Sequence, residues 1–359
     1  MRFPCFIVGC VAVTLLACGL LATAAADAQE TTAVQSTIPY PTETHTLDNG
    51  LKLIVVSMPS DGLLAYWTLV RTGSRDEFEP GRTGFAHFFE HMMFRGTERY
   101  PAAEYNRIVT LIGADTNAYT TDDYTAYHFR MAAEDLERVM DLESDRFRNL
   151  KYAERDFQTE AGAVYGEYRK TRTEPEFTLD EALMAKAFDK HPYNHTTLGF
   201  ERDIEGMPKL YDYSRTFFSR YYRPDNTVLF IAGGVTLAQV LPLVEKYYGG
   251  WKRGYVPPQI PAEPEQNAER RVDVAYDGQT LPILRIEYKL PAFEPANRSL
   301  VATHLLAQLA FGETSETYRK LVLEEQVVDH LDASGTFHRD PYLLDIHTRI
   351  KDQIGRAHV

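Results

Sequence analysis

Residues 84–96, Gly-Phe-Ala-His-Phe-Phe-Glu-His-Met-Met-Phe-Arg-Gly, hold the pattern that decides the fold and the chemistry of this chain. On a helix, His87 and His91 lie one turn apart on the same face, so both imidazoles can bind one zinc ion. Glu90 follows His87 by three residues and shares that face, where its carboxylate can contact a metal-bound water. The spacing therefore predicts a helical zinc site with a carboxylate beside it.

The residues around this triplet are apolar, and they include Phe85, Phe88, Phe89, Met92 and Met93. Such a helix is buried on most sides, where unpaired histidine and glutamate side chains would cost free energy. A chance match, or a core histidine pair held by ordinary hydrogen bonds, is the alternative interpretation. The order H-x-x-E-H is the inverzincin signature, which favours the metal site.

The beginning of the chain has the pattern of a secretory signal peptide. Arg2 precedes an apolar run from Phe6, and the segment ends in small residues with Ala-x-Ala cleavage patterns. We predict removal of residues 1–28 and export, most simply to a bacterial periplasm. A retained membrane anchor is one alternative, and a lipoprotein signal at Cys18 is another, which fits poorly because the apolar run continues past it. All three cysteines lie in this segment, so the exported chain has none.

A catalytic zinc ion needs a third protein ligand and an open position for water. Without cysteine, this ligand must be a histidine, an aspartate or a glutamate. A helix predicted over Glu154–Thr171 offers Glu160 and Glu167 on one face, and the small residues between them permit close approach of another helix. Glutamates at this spacing usually form a solvated face, and Glu154 is an equal candidate, so spacing alone leaves the choice open.

Taken together, these segments resemble the insulinase/pitrilysin family of zinc metallopeptidases, family M16. The resemblance rests on His87–His91 followed by Glu167 after 75 intervening residues, and on the flanking segments 84–97 and 113–120. It extends from about residue 47 to residue 350, which is nearly the whole exported chain.

The resemblance implies a zinc metalloendopeptidase that acts on peptides and small unfolded polypeptides. Glu167 is then the third zinc ligand, Glu160 supports the site, and Glu90 acts as the general base. Asn117 and Ala118 lie on a strand whose edge pairs with the substrate backbone. The family also implies a second, similar half that closes over the first as a clamshell, either in the same chain or as a partner subunit.

The remaining sequence predicts an α+β chain with a mostly antiparallel sheet packed by helices. The zinc-binding unit covers 40–251, the proline-rich stretch 252–268 is typical of a linker, and 269–353 form a second unit that opens with a strand at Arg271–Tyr276. The resemblance implies that this second unit is incomplete. Residues 354–359 match the translation of a common sequencing adapter, so we expect that this tail is not biological.

A second histidine pair lies in His191-Pro192-Tyr193-Asn194-His195. Pro192 prevents a regular helix through this segment, so the spacing does not place both imidazoles on one face. The family has a similar His-Pro-Tyr segment in a loop near its site. We therefore predict a structural or substrate-proximal role for these residues.

The net charge of the chain and its H-x-x-E-H motif limit the alternative functions. The net charge of −13 argues against nucleic acid as a partner. A non-catalytic zinc-binding partner subunit of an M16-type complex is the first alternative, although such members typically lack the H-x-x-E-H residues. A zinc-storage protein is the second alternative, and there Glu90 would have no role.

Overall fold

The structure is a computed structural model, and it describes residues 38–351 of the 359-residue chain. The predicted signal peptide, 1–28, and the predicted adapter-derived tail, 354–359, lie outside the described residues. Within the described range, no helix has both the length and the apolar character needed to cross a membrane.

A six-stranded sheet forms the centre of the first lobe, defined here as residues 40–251. Its strands are β1 (Thr42–Thr46), β2 (Lys52–Ser57), β3 (Leu63–Val70), β4 (Asp115–Thr120), β5 (Thr125–Ala132) and β6 (Thr227–Gly233). They follow the order β1-β2-β6-β3-β5-β4, and every neighbouring pair is antiparallel except β2 and β6. The predicted α+β class with a mostly antiparallel sheet is therefore confirmed.

Helices cover one face of this sheet and build the core with it. The α-helices described in this lobe are α1 (Phe85–Met92), α2 (Ala102–Leu111), α3 (Leu136–Asn149), α4 (Glu154–Thr171), α5 (Pro175–Ala187), α6 (Glu201–Gly206), α7 (Tyr211–Tyr221) and α8 (Leu237–Tyr248). In β3, Leu64, Tyr66 and Val70 are buried while Trp67 stays partly exposed, the alternation of a strand with one covered face. The phenylalanines of α1 join this core, which fixes α1 on the sheet.

The second lobe, residues 269–351, has a smaller sheet. Its strands are β7 (Ile283–Leu290), β8 (Val328–Gly335) and β9 (Tyr342–Ile350), all antiparallel in the order β7-β9-β8. Helix α9 (Arg298–Phe311) packs on one face of this sheet through Leu300 and Ala307. A short helix, α10 (Glu316–Tyr318), follows α9 and continues as a π-helical turn.

The two lobes share a topology. The order β7, α9, α10, β8, β9 repeats the order β3, α1, α2, β4, β5 of the first lobe. In both lobes the last strand of the hairpin pairs antiparallel along the whole length of the opening strand. This repeat is a property of the fold, since the sequences of the two lobes show no evident similarity.

Residues 252–268, which connect the lobes, and the first residues of the second lobe, 269–276, form neither a helix nor a strand. The carboxylate of Glu263 accepts hydrogen bonds from the backbone N–H groups of Asp189 at 2.8 Å and His191 at 3.0 Å, which holds this stretch against the first lobe. The strand predicted at Arg271–Tyr276 is wrong. A strand needs a hydrogen-bonded neighbour, and no described strand pairs with the backbone of this segment. The Tyr276 side chain contacts the first lobe, where its hydroxyl donates to the Thr173 carbonyl.

The lobes meet beside α5. Arg285 on β7 forms an ion pair with Asp180 on α5. Four residues farther along the same strand pair, Leu343 on β9 is buried against Phe188 and Tyr193, which belong to the loop that follows α5. The contact between the lobes therefore combines an ion pair with a small apolar cluster.

Candidate metal centre

The N-terminus of α1 is held by a buried carboxylate. Gly84 precedes the helix with φ of +87°, where an added Cβ would come within 2.7 Å of the Leu198 carbonyl oxygen. Glu77 accepts hydrogen bonds from the N–H groups of Gly84 at 2.7 Å and Ala86 at 2.6 Å, groups that a helix start leaves without an intrahelical partner. Burial raises the pKa of Glu77 to about 8, against the opposing effect of these hydrogen bonds.

Three predicted ligands converge between α1 and α4. One ligand atom from each of His87, His91 and Glu167 lies within 4.8 Å of the other two. Glu167 Oε2 is 3.7 Å from His87 Nε2 and 3.3 Å from His91 Nε2. Ligand atoms of a tetrahedral zinc site are separated by about 3.3 Å, given zinc–ligand distances of about 2.0–2.1 Å. The nitrogen–oxygen donor set and its spacing therefore fit a zinc ion.

The two histidines differ in pKa, and therefore in how readily each is available to a metal near pH 7. Burial, and then the neighbouring His91, lower the pKa of His87 to about 3. His87 is consequently neutral near pH 7, which is the form that binds a metal. For His91 the effect is opposite, because its hydrogen bond with Glu160 raises the pKa above the ordinary value. His91 therefore holds a proton more strongly than His87 does, and it is mainly from His91 that zinc binding has to displace one.

Glu160 orients His91 by binding the ring nitrogen that faces away from the ligand group. Its Oε1 lies 3.0 Å from His91 Nδ1, which leaves His91 Nε2 directed at the cluster with Glu167. The other oxygen of Glu160 accepts from Arg95. Burial alone would raise the pKa of Glu160, but the hydrogen bonds from His91 and Arg95 hold it below the ordinary value. A carboxylate that fixes the tautomer of a ligand histidine in this way is common in zinc sites.

Replacing Glu160 with glutamine is expected to weaken zinc binding by about 10–100-fold, the usual effect of losing such an outer partner. The neutral amide no longer stabilises the proton on His91 Nδ1 and no longer pairs with Arg95. Competition against a fluorescent chelator measures the affinity. Glu154→Gln, on the exposed first turn of the same helix, is the matched control and should keep wild-type affinity. Equal zinc affinities in the two variants would contradict this role of Glu160.

Glu90 lies on α1 between the two histidines and outside the ligand group. The hydroxyl of Thr120, the last residue of β4, donates to Glu90 Oε2 at 2.7 Å. Burial raises the pKa of Glu90, and the hydrogen bond from Thr120 opposes that change. A half-buried carboxylate with a raised pKa, next to a candidate zinc site, is suited to accept and return a proton.

Asn117 and Ala118 lie on β4, which is the edge strand of the first sheet and, among the described residues, pairs with β5 alone. The Asn117 side chain is exposed and accepts a hydrogen bond from the Ala118 N–H at 2.9 Å. No described strand pairs with the edge of β4 that faces away from β5, so an added strand could pair there by displacing the Asn117 side chain from the Ala118 N–H. Because Thr120 on the same strand contacts Glu90, such a strand would run close to the candidate metal centre.

The structure distinguishes the three glutamates that sequence spacing alone left as candidates for the third ligand. Glu167 joins the histidines and Glu160 contacts His91, whereas Glu154 lies exposed at the start of α4 with Gln158 as its neighbour. Sequence reasoning missed Arg95 and Thr120. Arg95 follows His91 by four residues, a spacing that could have suggested a shared environment. Thr120 offered no such signal, since its contact with α1 is long-range.

A helix with H-x-x-E-H opposite a downstream glutamate defines the inverzincin class of metallopeptidases. Two family models match this chain, described as insulinase (peptidase family M16) over residues 53–201 and as the peptidase M16 inactive domain over residues 210–358. The chain belongs to peptidase family M16.

Individual relatives agree with this assignment. The zinc protease PqqE of Helicobacter pylori is 31% identical over 292 residues, which cover 80% of this chain and 64% of that protein. The beta subunit of the mitochondrial-processing peptidase of Caenorhabditis elegans is 31% identical over 209 residues, 58% of this chain and 45% of that subunit. The chain thus spans about half to two thirds of the length of these curated relatives.

Solved structures share the fold. The crystal structure of a protease from Helicobacter pylori superposes with a TM-score of 0.81 at 28% identity, covering 88% of this chain and 76% of that one. A putative M16-like peptidase from Alicyclobacillus acidocaldarius superposes with a TM-score of 0.71 at 23% identity, over 87% of this chain and 75% of that one. The second likeness concerns the fold alone.

Proposed function

We propose that this protein is an exported zinc metalloendopeptidase that hydrolyses peptides and small unfolded polypeptides. The observation that carries the proposal is the convergence of His87, His91 and Glu167 within 4.8 Å, with Glu90 on the same helix. The curated relatives named zinc proteases support the class of reaction. Export rests on the signal-peptide pattern of residues 1–28 and points to a bacterial periplasm.

Each residue of the candidate site has a separate role in the proposed peptide hydrolysis. His87, His91 and Glu167 would hold the zinc ion, which when bound would lower the pKa of a water molecule and polarise the scissile carbonyl. The carboxylate of Glu90 would accept a proton from the attacking water and deliver it to the leaving amine. Glu160 and Arg95 keep His91 in the orientation that binds the metal.

The free edge of β4 explains the proposed substrate class. An extended peptide adds to this edge through main-chain hydrogen bonds in the Asn117–Ala118 segment, where it displaces the Asn117 side chain from the Ala118 N–H. Such pairing favours unfolded segments over folded proteins and selects little for sequence. A second M16-type half, in the same polypeptide or in a partner subunit, would close over the first as a clamshell. Such a chamber limits substrates to chains small enough to enter it.

Metal removal and restoration test the proposal. The zinc-loaded full chain is expected to cleave an internally quenched peptide, to lose this activity on dialysis against a chelator, and to regain it with one equivalent of zinc. Hydrolysis that survives complete metal removal would contradict the proposal. Stoichiometric zinc binding without hydrolysis would instead support a non-catalytic zinc-binding subunit of an M16-type complex.

A further inference from the structure

The turn between β4 and β5, residues 121–124, lies directly after the residue that contacts Glu90. Thr120 ends β4 and donates to Glu90 Oε2 at 2.7 Å. The turn is closed by Thr121, whose N–H donates to the Tyr124 carbonyl at 2.9 Å. Any displacement of this turn therefore moves the hydroxyl that orients Glu90.

The first lobe holds this turn at two points. The N–H of Arg75 donates to the Asp122 carbonyl at 2.8 Å, and the Ser74 hydroxyl donates to the Asp122 carboxylate at 2.8 Å. The Tyr193 hydroxyl, from the His-Pro-Tyr segment, donates to Asp123 Oδ1 at 2.7 Å. The second histidine segment of the sequence thus contributes a tyrosine to the turn.

The second lobe holds the other oxygen of Asp123. The backbone N–H of Arg339 donates to Asp123 Oδ2 at 3.0 Å, and His338 Nδ1 lies 3.3 Å from the same oxygen. His338 is itself buried and stacks on Tyr342, with ring centroids 3.5 Å apart. Asp123 is 8% exposed, so its carboxylate is a buried junction between the turn, the His-Pro-Tyr segment and the second lobe.

We propose that Asp123 is a positioning residue through which the second lobe sets the orientation of Glu90. This inference rests on the proposed peptidase function, in which Glu90 is the base. The path is short: the Arg339 N–H binds Asp123, the backbone of the turn connects Asp123 to Thr120, and the Thr120 hydroxyl binds Glu90. Misplacing a reacting group by about 1 Å can cost about 100-fold in rate, so a small shift of the turn is enough to be measured.

The Asp123→Asn variant tests this path. An asparagine keeps the size of the side chain but loses the charge and one acceptor, so it cannot satisfy Tyr193, Arg339 and His338 together. We expect kcat to fall by about 10-fold, with KM and zinc stoichiometry unchanged. The control is Asp180→Asn, which breaks the Arg285 ion pair elsewhere between the lobes and should leave kcat at the wild-type value.

A double-mutant cycle shows whether the effect passes through Thr120. In a Thr120→Val background the hydroxyl that contacts Glu90 is already absent. Adding Asp123→Asn to this background should therefore cause no further fall in kcat. In a Thr120→Ser background, which keeps the hydroxyl, the 10-fold effect should return. Additive losses in kcat for Asp123→Asn and Thr120→Val would overturn the inference, because they would show two independent contributions.

Hydrogen exchange gives a readout that does not depend on turnover. Amides of residues 120–125 should exchange faster in Asp123→Asn than in Asp180→Asn, with or without zinc. If Asp123→Asn does not fold, Tyr193→Phe removes one hydroxyl from the same junction and should change exchange and kcat in the same direction. An inactive wild-type chain would overturn the proposed function, whereas an active chain with unaltered kcat and exchange in these variants would overturn only this inference.

Discussion

Replacing Glu90 with glutamine is expected to lower kcat by about 1,000-fold while the protein still binds one zinc ion. A positioned general base contributes about 100- to 10,000-fold to such reactions, and glutamine has nearly the same shape but cannot accept the proton. Zinc should stay because the ligand group consists of His87, His91 and Glu167 and does not include Glu90. Thr120 can still donate to the glutamine carbonyl, so the local structure is preserved.

The measurement combines single-turnover hydrolysis of a quenched peptide with metal analysis of the same preparation. Glu104→Gln, at a partly exposed glutamate on α2 that forms an ion pair with its helical neighbour Arg107, serves as the control and should keep full activity. Peptidase activity within about 10-fold of wild type in Glu90→Gln would rule out the role as base. Another group would then have to accept the proton, whereas zinc binding without hydrolysis in the wild-type chain is the result that would favour the zinc-storage alternative.

Replacing His87 with alanine is expected to reduce zinc affinity by more than about 100-fold, and activity with it. Loss of an outer partner alone costs about 10–100-fold, and His87 contributes a nitrogen to the ligand group itself. The low pKa of His87, about 3 because of burial, means that no proton competes with the metal for this nitrogen near pH 7. Two ligands remain in the variant, too few for a stable site.

Chelator competition followed by metal analysis measures this loss. His45→Ala, on the edge strand β1 and far from the ligand group in sequence, is the control and should bind zinc like the wild type. Far-ultraviolet circular dichroism verifies that both variants are folded. Retention of wild-type zinc affinity by folded His87→Ala would show that the metal binds elsewhere.

The helical part of the site could be predicted because it depends on a local period. Four residues make one turn of a helix, so His87 and His91 had to share a face whatever the rest of the chain did. The choice among Glu154, Glu160 and Glu167 could not be made in this way, because it depends on how α4 crosses α1. The family resemblance supplied that choice at the sequence level, and the structure places Glu167 beside the histidines.

The same distinction between local and long-range information explains which elements of the fold could be predicted from the sequence. Asp48-Asn49-Gly50 marks the β1–β2 hairpin, and α4 begins and ends where its pattern predicts. By contrast, the sequence of α5 carries no comparable local pattern. Only Leu183 is buried along this helix, so no apolar stripe identifies it, and Pro175 at its first position was the available signal.

The position of β6 in the first sheet has a consequence for how the metal centre forms. β6 lies between β2 and β3, yet it follows both by more than half of the first lobe in sequence. The sheet that supports α1 therefore stays divided until the chain through Gly233 is available, and closing it requires contacts of high sequence separation, which fold slowly. The zinc ligands are all synthesised before that point. We therefore expect the candidate ligands to align late in folding, and an unfinished chain to contain them without an assembled metal centre.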